Sequence, residues 1–255
     1  MNNIPEISVV IPAYNEYRRL PPTLLDIINY FEQANRDYEI IVVDDGSSDQ
    51  TAELVEKFNL VRPQIRLIRI LRNKGKGNAV KEGVLAAVAP KILFADADGS
   101  TPIQEFERLE AVLDSGADIV IGSRALPSKE TTVRTRWYRK CFGRLFNSFV
   151  NWLILPGLSD TQCGFKLFRS AAAKFVFTRQ RSRGFSFDVE LLYIARKAEL
   201  HIVEVPVNWT NVPDSKVNLL IDSAKMFRDL FRFVVWHRNI NKESFINFKR
   251  KYNFS

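Results

Sequence analysis

Two short acidic groupings stand out because each follows a run of apolar residues. Asp44-Asp45-Gly46-Ser47 comes after Glu39–Val43, and Asp96-Ala97-Asp98-Gly99-Ser100-Thr101 comes after Lys91–Ala95. Asp96 and Asp98 are one residue apart on a predicted turn. Both carboxylates can therefore face one hard cation, Mg²⁺ or Mn²⁺, which keeps further places for water and phosphate oxygens. The plain alternative is a solvated turn, since Asp, Gly and Ser are ordinary turn residues. Asp44 and Asp45 can accept hydrogen bonds from a base or ribose, or belong to a helix-capping loop that Asp49 also serves. The sequence has neither a G-x-G-x-x-G stretch nor a Walker loop, so a nucleotide here would be held through a metal and side chains.

The elements that must place these residues alternate regularly. Ile7–Ile11 reads as a strand ended by Pro12, Pro22–Asn35 as a helix, Glu39–Val43 as a strand and Gln50–Phe58 as a helix. Ile65–Leu71, Lys91–Ala95 and Ile119–Gly122 continue the strands, with helices over Gly77–Ala89 and Phe106–Ser115 between them. Continuous apolar strands separated by helices predict an α/β fold, a mostly parallel sheet covered on both faces. Ligands of such sheets bind outside the carboxyl ends of the strands. Pro12–Glu16, Asp44–Ser48 and Asp96–Thr101 all fall on that rim.

Beyond Arg124 the rhythm breaks. Ser128–Arg144 carries Lys129, Arg134, Arg136, Arg139, Lys140 and Arg144 against Glu130 alone, and it leads into a helix with Trp137, Phe149, Trp152 and Leu153 that ends at Pro156-Gly157. The wide apolar arc of that helix suits a membrane or dimer contact that would hide Phe142, Phe146 and Ile154. Asp160–Phe168 reads as loop then strand, Phe187–Ala198 as a helix and Ile202–Trp209 as a strand. An amphipathic helix follows over Leu219–Trp236. Its stripe of Leu220, Ala224, Phe227, Phe231 and Val234 is read first as a face packed on the sheet, and second as a face lying among lipid headgroups. From Asn239 onward the chain is a polar, basic tail with scattered aromatics, open to fraying.

The 255 residues carry a net charge of +8, which attracts anions without choosing among nucleic acid, lipid headgroups and phosphorylated substrates. Cys141 and Cys163 are too few for a disulfide framework or a zinc cage, and Cys163 reads as a small packed residue. His201 and His237 have no ligand spacing, so a bound metal would sit on carboxylates. The start of the chain lacks the basic and apolar regions of a signal peptide, and no apolar run reaches the about 18 residues needed to span a bilayer. These features predict a cytoplasmic protein, neither secreted nor membrane-spanning, whose membrane role would be peripheral.

Four segments in order carry a specific resemblance: Val9-Val10-Ile11-Pro12-Ala13-Tyr14-Asn15-Glu16, Val42-Val43-Asp44-Asp45-Gly46-Ser47-Ser48-Asp49, Asn73-Lys74-Gly75-Lys76-Gly77 and Asp96-Ala97-Asp98. Together they resemble the inverting glycosyltransferase family 2, which has the Rossmann-like GT-A fold. Gly122-Ser123-Arg124, Asp160 through Phe168, Phe187 through Leu192 and Val205-Pro206-Val207-x-Trp209 resemble its dolichyl-phosphate β-glucosyltransferases more than its mannosyl-phosphate-dolichol synthases. The similarity covers roughly Glu6 to Trp236.

The resemblance implies one domain over 1–238, a nucleotide-sugar half (1–125) and an acceptor half (126–238), followed by a basic tail (239–255). It places Pro12, Tyr14, Glu16 and Asp44 in the nucleoside pocket, with Asp45 and Lys76 also on the donor side, and Asp96 and Asp98 on the metal and the donor diphosphate. Arg124, with one or two of Arg134, Arg136 and Arg139, would take the acceptor phosphate. Ser215-Lys216 matches a family segment near the donor phosphates. The resemblance implies a peripheral place on the cytoplasmic face of a membrane; eukaryotic glucosyl enzymes of the family carry an N-terminal anchor, whereas this sequence begins just before its first strand, a departure that counts against that expectation.

The implied reaction moves a hexose, glucose from UDP-glucose with GDP-mannose left open, to a polyprenyl or dolichyl phosphate. A hydroxyl acceptor would need a general base, for which Asp188 is the candidate; its alternative is a pairing carboxylate. A phosphomonoester is already anionic and needs cations to position it, a role suited to arginine forks. Transfer to a hydroxyl of a glycolipid or polysaccharide is the rival enzyme, although no Q-x-x-R-W segment is present. A nucleic-acid-binding module is the distant rival, and carboxylates on the rim argue against nucleic acid.

Overall fold

The computed structural model describes residues 4–126, 128–134, 147–212 and 219–254. Seven strands form its central sheet: β1 (Ile7–Ala13), β2 (Tyr38–Asp44), β3 (Ile65–Arg69), β4 (Lys91–Ala95), β5 (Ile119–Ser123), β7 (Phe165–Arg169) and β8 (Ile202–Pro206). They lie in the order β3-β2-β1-β4-β7-β5-β8. A separate ribbon pairs β6 (Val133–Arg134) with β9 (Trp209–Thr210), so the strand predicted over Ile202–Trp209 divides in two.

Every residue of β1 and β2 is buried, as strands covered on both faces must be. Side chains alternate across the sheet. Val10, Ile41, Val43 and Phe94 face α3 (Lys76–Ala86), α6 (Ser170–Arg179) and α7 (Phe187–Lys197). Val9, Ile11, Val42 and Leu93 face α1 (Leu20–Gln33) and α4 (Phe106–Asp114), while α2 (Thr51–Val61) adds Val55 to this second core.

Two features of the topology build the rim. The chain winds from β1 through β2 to β3, then crosses to β4 on the other side of β1, which opens a crevice between the ends of β1 and β4. β7 runs antiparallel between β4 and β5, so its first residue, Phe165, lies opposite the last residue of β4, Ala95. The loop that leads into β7 therefore starts at the rim, where the parallel strands finish.

The second half departs from expectation in three places. The predicted stripe of helix α8 (Leu219–Trp236) is its packed face only in part: Phe227 packs on the core beside the buried Met226, Leu230 and Phe233, whereas Phe231 and Val234 are exposed. Leu220 and Ala224 of that stripe lie outside the described side chains. Ile154, just after the helical stretch 147–153 (α5), is buried in the core rather than on an open face. The tail forms a helix, α9 (Lys242–Lys251), begun by a capping box between Asn241 and Ser244. Phe248 of α9 packs edge-on against Phe175 of α6, with ring centroids 5.5 Å apart. Burying a ring of this size is worth about 1.5–3 kcal/mol, enough to hold a short basic helix in place.

Candidate active site

The loops after β1 and β2 leave the sheet side by side, because Ala13 and Asp44 are register partners and Asp45 N donates to Ala13 O at 2.8 Å. Asn15 ties them together. It adopts φ 53°, its Oδ1 accepts from Ser48 N at 2.8 Å, and its own N donates to Ser47 Oγ at 2.8 Å. Asparagine tolerates this left-handed backbone better than most residues. Pro12 is buried under the tie and Tyr14 lies exposed on its lip.

Asp44 is almost fully buried. Its Oδ1 accepts from Ser47 N at 3.3 Å, while its Oδ2 is buried without a hydrogen-bond partner. Native proteins seldom leave such an oxygen orphaned, so a donor from a base or ribose would complete the site. Asp45 instead serves the backbone, its two oxygens accepting from Lys74 N at 2.9 Å and Gly75 N at 2.8 Å. Burial pushes its carboxyl up, and those two N–H groups pull it back. Gly75 sits at φ +102°, where a Cβ would also strike Arg183 O, so only glycine fits this loop. Asp45 thus fixes the loop that launches α3.

The first residue of α3 is Lys76, whose Nζ reaches Asp96 Oδ1 at 2.6 Å and lies 5.4 Å from the centroid of Phe94. Burial works against the ammonium, but Asp96, Asp188 and Asp98 together outweigh it and hold the group above its ordinary range. On the same turn, Asp98 Oδ1 accepts from Ser100 N at 3.1 Å. Burial and the neighbouring Asp96 charge push the Asp98 carboxyl up. Two half-buried like charges on one turn gain from a cation between them. Arg19 comes within 3.9 Å of Asp98 Oδ2, and Arg19 Nε donates to Glu16 at 2.7 Å, which links Glu16 to this turn.

The start of β7 supports the same turn from the other side. Asp96 N donates to Gly164 O at 3.0 Å, and the Asp96 carboxylate fills the space where a Cβ on residue 164 would stand. Lys166, two residues on, is completely buried; its Nζ donates to Cys163 O at 2.6 Å and to Asp188 Oδ1 at 2.5 Å. Asp188 is therefore a buried, paired carboxylate. Glu190 has other partners, accepting from Arg181 N and Ser182 N and contacting His237 Nε2 at 2.7 Å.

At the end of β5, Arg124 is gripped by Asp160: Nε donates to Oδ2 at 2.6 Å and Nη2 to Oδ1 at 2.8 Å. Its guanidinium carbon lies 5.4 Å from the centroid of Trp209. Burial penalises both charges, but the pairing holds Asp160 below the usual carboxylate range and Arg124 above its ordinary value. Asp160 is itself oriented by Glu204, which accepts from Ser159 N at 2.6 Å and Asp160 N at 2.8 Å. Arg134 sits on the β6–β9 ribbon, which is stitched to the acidic turn through Thr210 N and Ser100 O at 2.9 Å.

The rim therefore brings together Pro12, Tyr14, Glu16, Asp44, Asp45, Lys76, Asp96 and Asp98. Arg124 lies at the end of β5, and Asp188 is one layer beneath. Arg136, Arg139, Ser215 and Lys216 lie outside the described residues. Arg19 was not singled out by the sequence, and Asp160, Gly164 and Lys166 stood only within a segment that carries the resemblance, with no role assigned. Their pairings with Asp98, Arg124, Asp96 and Asp188 span 22 to 79 positions, and no local pattern marks such pairs.

Comparisons with known proteins identify the family and the fold. The family model described as Glycosyl transferase family 2 matches residues 8–177. A dolichyl-phosphate beta-glucosyltransferase of Dictyostelium discoideum is 40% identical over 238 residues, covering 89% of this chain and 73% of the relative. The Homo sapiens protein of that name is 38% identical, covering 88% and 74%. Among solved structures, glucosyl-3-phosphoglycerate synthase from Mycobacterium tuberculosis with Mn²⁺, UDP-Glc and phosphoglyceric acid superposes with a TM-score of 0.63 at 20% identity, covering 92% of this chain and 80% of that one. Mannosyl-3-phosphoglycerate synthase from Rubrobacter xylanophilus gives 0.64 at 17% identity, covering 91% and 73%. At these identities the structures speak for the fold alone, which is GT-A.

Proposed function

The chain belongs to glycosyltransferase family 2, and on that premise we propose that it transfers glucose from UDP-glucose to a polyprenyl phosphate of the dolichyl type, with inversion. The donor half of this reading is carried by one observation. A buried Asp44 oxygen without a partner lies on the same rim as the Asp96–Asp98 turn. The acceptor half is supported by the relatives, which are named for glucosyl transfer to dolichyl phosphate.

Asp44 would accept from the base or ribose. Asp96 and Asp98 would hold a divalent cation, Mg²⁺ or Mn²⁺. Among the described residues no group of three or more His, Cys, Asp or Glu side chains forms a closed metal cage. A two-carboxylate set fits a hard cation that completes its shell with diphosphate oxygens and water. When bound, such a cation supplies Lewis-acid stabilisation of the departing diphosphate. Lys76 places a second positive charge at the same point.

The chemistry is an in-line displacement. An acceptor phosphate oxygen forms the new bond to the anomeric carbon, and the bond to UDP breaks with its electron pair leaving on the diphosphate. No proton has to move first, because the phosphate is already anionic. Arg124, held in one orientation by Asp160 and Trp209, would place that oxygen with Arg134 beside it. Asp188 is unsuited as a base for a hydroxyl acceptor because it is sealed against Lys166.

No helix of the described residues is long and apolar enough to cross a membrane. The test is to incubate the protein with Mn²⁺, ¹⁴C-labelled UDP-glucose and polyprenyl phosphate in detergent, and to follow label into the organic phase. Parallel arms contain EDTA, Asp98→Ala or GDP-mannose. Label that enters the lipid from UDP-glucose and vanishes with EDTA and with Asp98→Ala supports the reading. Bound UDP-glucose without lipid label would redirect it to hydroxyl acceptors.

A further inference from the structure

Helix α8 turns outward a face that the fold does not use. Phe231 is 59% exposed and Val235 65%, interleaved with the exposed Arg228 and Arg232. Beside this face, between α8 and residues 181–186, runs a groove of about 340 Å³ whose lining holds five cations, Arg181, Arg183, Lys225, Arg228 and Arg232, against the single carboxylate of Asp229.

That carboxylate is committed to organising the groove. Asp229 accepts from Ser186 Oγ at 2.7 Å and lies 3.3 Å from Arg232 Nη1 and 3.7 Å from Arg228 Nη2. Trp236 forms one wall, with Arg181 at 5.8 Å and Arg232 at 6.0 Å from its ring. The N-terminus of α7 opens into the same groove at Ser186, whose side chain does not cap it. Arginine forks are phosphate ligands. On the far flank, Phe149 of α5 packs on Phe227 at 4.8 Å and carries with it Trp152, which is 78% exposed.

We propose that this groove binds the phosphate of an anionic lipid headgroup, and that Phe231, Val235 and Trp152 enter the headgroup boundary around it, so that α8 docks the protein on a bilayer. Cations flanked by exposed aromatic and aliphatic side chains match an anionic membrane surface. Nucleic acid would answer the charge but leave the apolar flank in water. The groove is also tied to the rim, since Arg183 O accepts from Asn78 N at 3.2 Å and lies against Gly75 in the loop before Lys76. Docking at α8 would therefore set the active-site rim close to the lipid surface. The inference extends the lipid-acceptor reading but is measured without any transfer, so the two can fail separately.

The experiment is co-sedimentation of the full chain with phosphatidylcholine vesicles, with and without phosphatidylserine, for the parent, R228E/R232E and F231S/V235S. The expected result is binding that requires phosphatidylserine and weakens more than about tenfold in R228E/R232E, since each basic residue near the surface contributes substantially. F231S/V235S weakens it further at an unchanged unfolding temperature. If R228E/R232E unfolds at a lower temperature, R228Q/R232Q replaces it and must show the same direction of change. Equal binding of parent and variants would overturn the proposal. So would calorimetric binding of inorganic phosphate without vesicle binding, or loss of DNA retention in place of vesicle binding. Loss of transfer to a short-chain, water-soluble prenyl phosphate would also overturn it, because the groove would then be the acceptor site.

Discussion

Two lysine–aspartate pairs flank the ring of Phe94. Lys76 meets Asp96 at the rim, and Lys166 meets Asp188 one layer below, with the two ammonium nitrogens 5.4 and 5.7 Å from the ring centroid. Their surroundings differ. The rim side chains are 24% and 32% exposed, whereas the lower ones are 0% and 6% exposed. A pair in contact with solvent can trade its partner for a cation or a diphosphate at small cost. A sealed pair cannot, because either charge alone would be stranded in the core. The same chemistry thus gives one pair that can react and one that supports.

The largest expected effect comes from breaking the sealed pair. Lys166→Met should destabilise the protein by about 3–5 kcal/mol in urea unfolding, and Lys166→Met with Asp188→Leu should recover most of that loss. At the rim, Asp96→Asn should leave the unfolding midpoint near that of the parent while lowering transfer roughly 10²–10³-fold, the scale of several kcal/mol of lost charge stabilisation. If Asp96→Asn unfolds the protein instead, the contrast between the pairs is wrong. Arg124→Lys removes the fork that Asp160 and Trp209 orient, and should lower kcat/KM for the lipid phosphate about ten- to a hundredfold without changing UDP affinity.

The smallest effect probes how well the lower layer is sealed. Burial pushes the Cys163 thiol up to about 12, so almost none of it is thiolate at neutral pH. In a Cys141→Ser background, a thiol reagent at pH 8 should label the native protein negligibly and the unfolded protein fully. Labelling of the native protein would show that solvent reaches this layer.

Much of the rim is legible in the sequence, because buried parallel strands read as apolar runs and their carboxyl ends mark the site. Ile40 through Val43 and Ile92 through Ala95 leave no doubt about where Asp44 and Asp96 emerge. The layer below is not legible. Phe165-Lys166-Leu167-Phe168 suggests an outward-facing lysine, and only the antiparallel insertion of β7 beside Phe94 turns it inward. Asp45 reads as a ligand for the nucleotide, yet its partners are Lys74 N and Gly75 N, 29 and 30 positions on. In α8, Leu230, Phe231, Phe233 and Val234 supply two overlapping stripes of the same period. Periodicity cannot choose between them; the contacts of Asp229 with Ser186 and of His237 with Glu190 do. In the tail the short aromatic stripe of Phe245, Phe248 and Tyr252 is diluted by polar and basic residues, and only the tertiary fold reveals that Phe245 and Phe248 pack on Phe175.

The most direct test of the account compares Asp98→Asn with the Lys166→Met/Asp188→Leu double variant in the glucosyl-transfer assay to polyprenyl phosphate, with folding checked by unfolding temperature. The expected result is a folded but inert Asp98→Asn protein and a folded, active double variant, since a phosphate acceptor needs cations at the rim and no base beneath it. A folded double variant without activity, or an Asp98→Asn protein that transfers glucose at the parent rate, would contradict it.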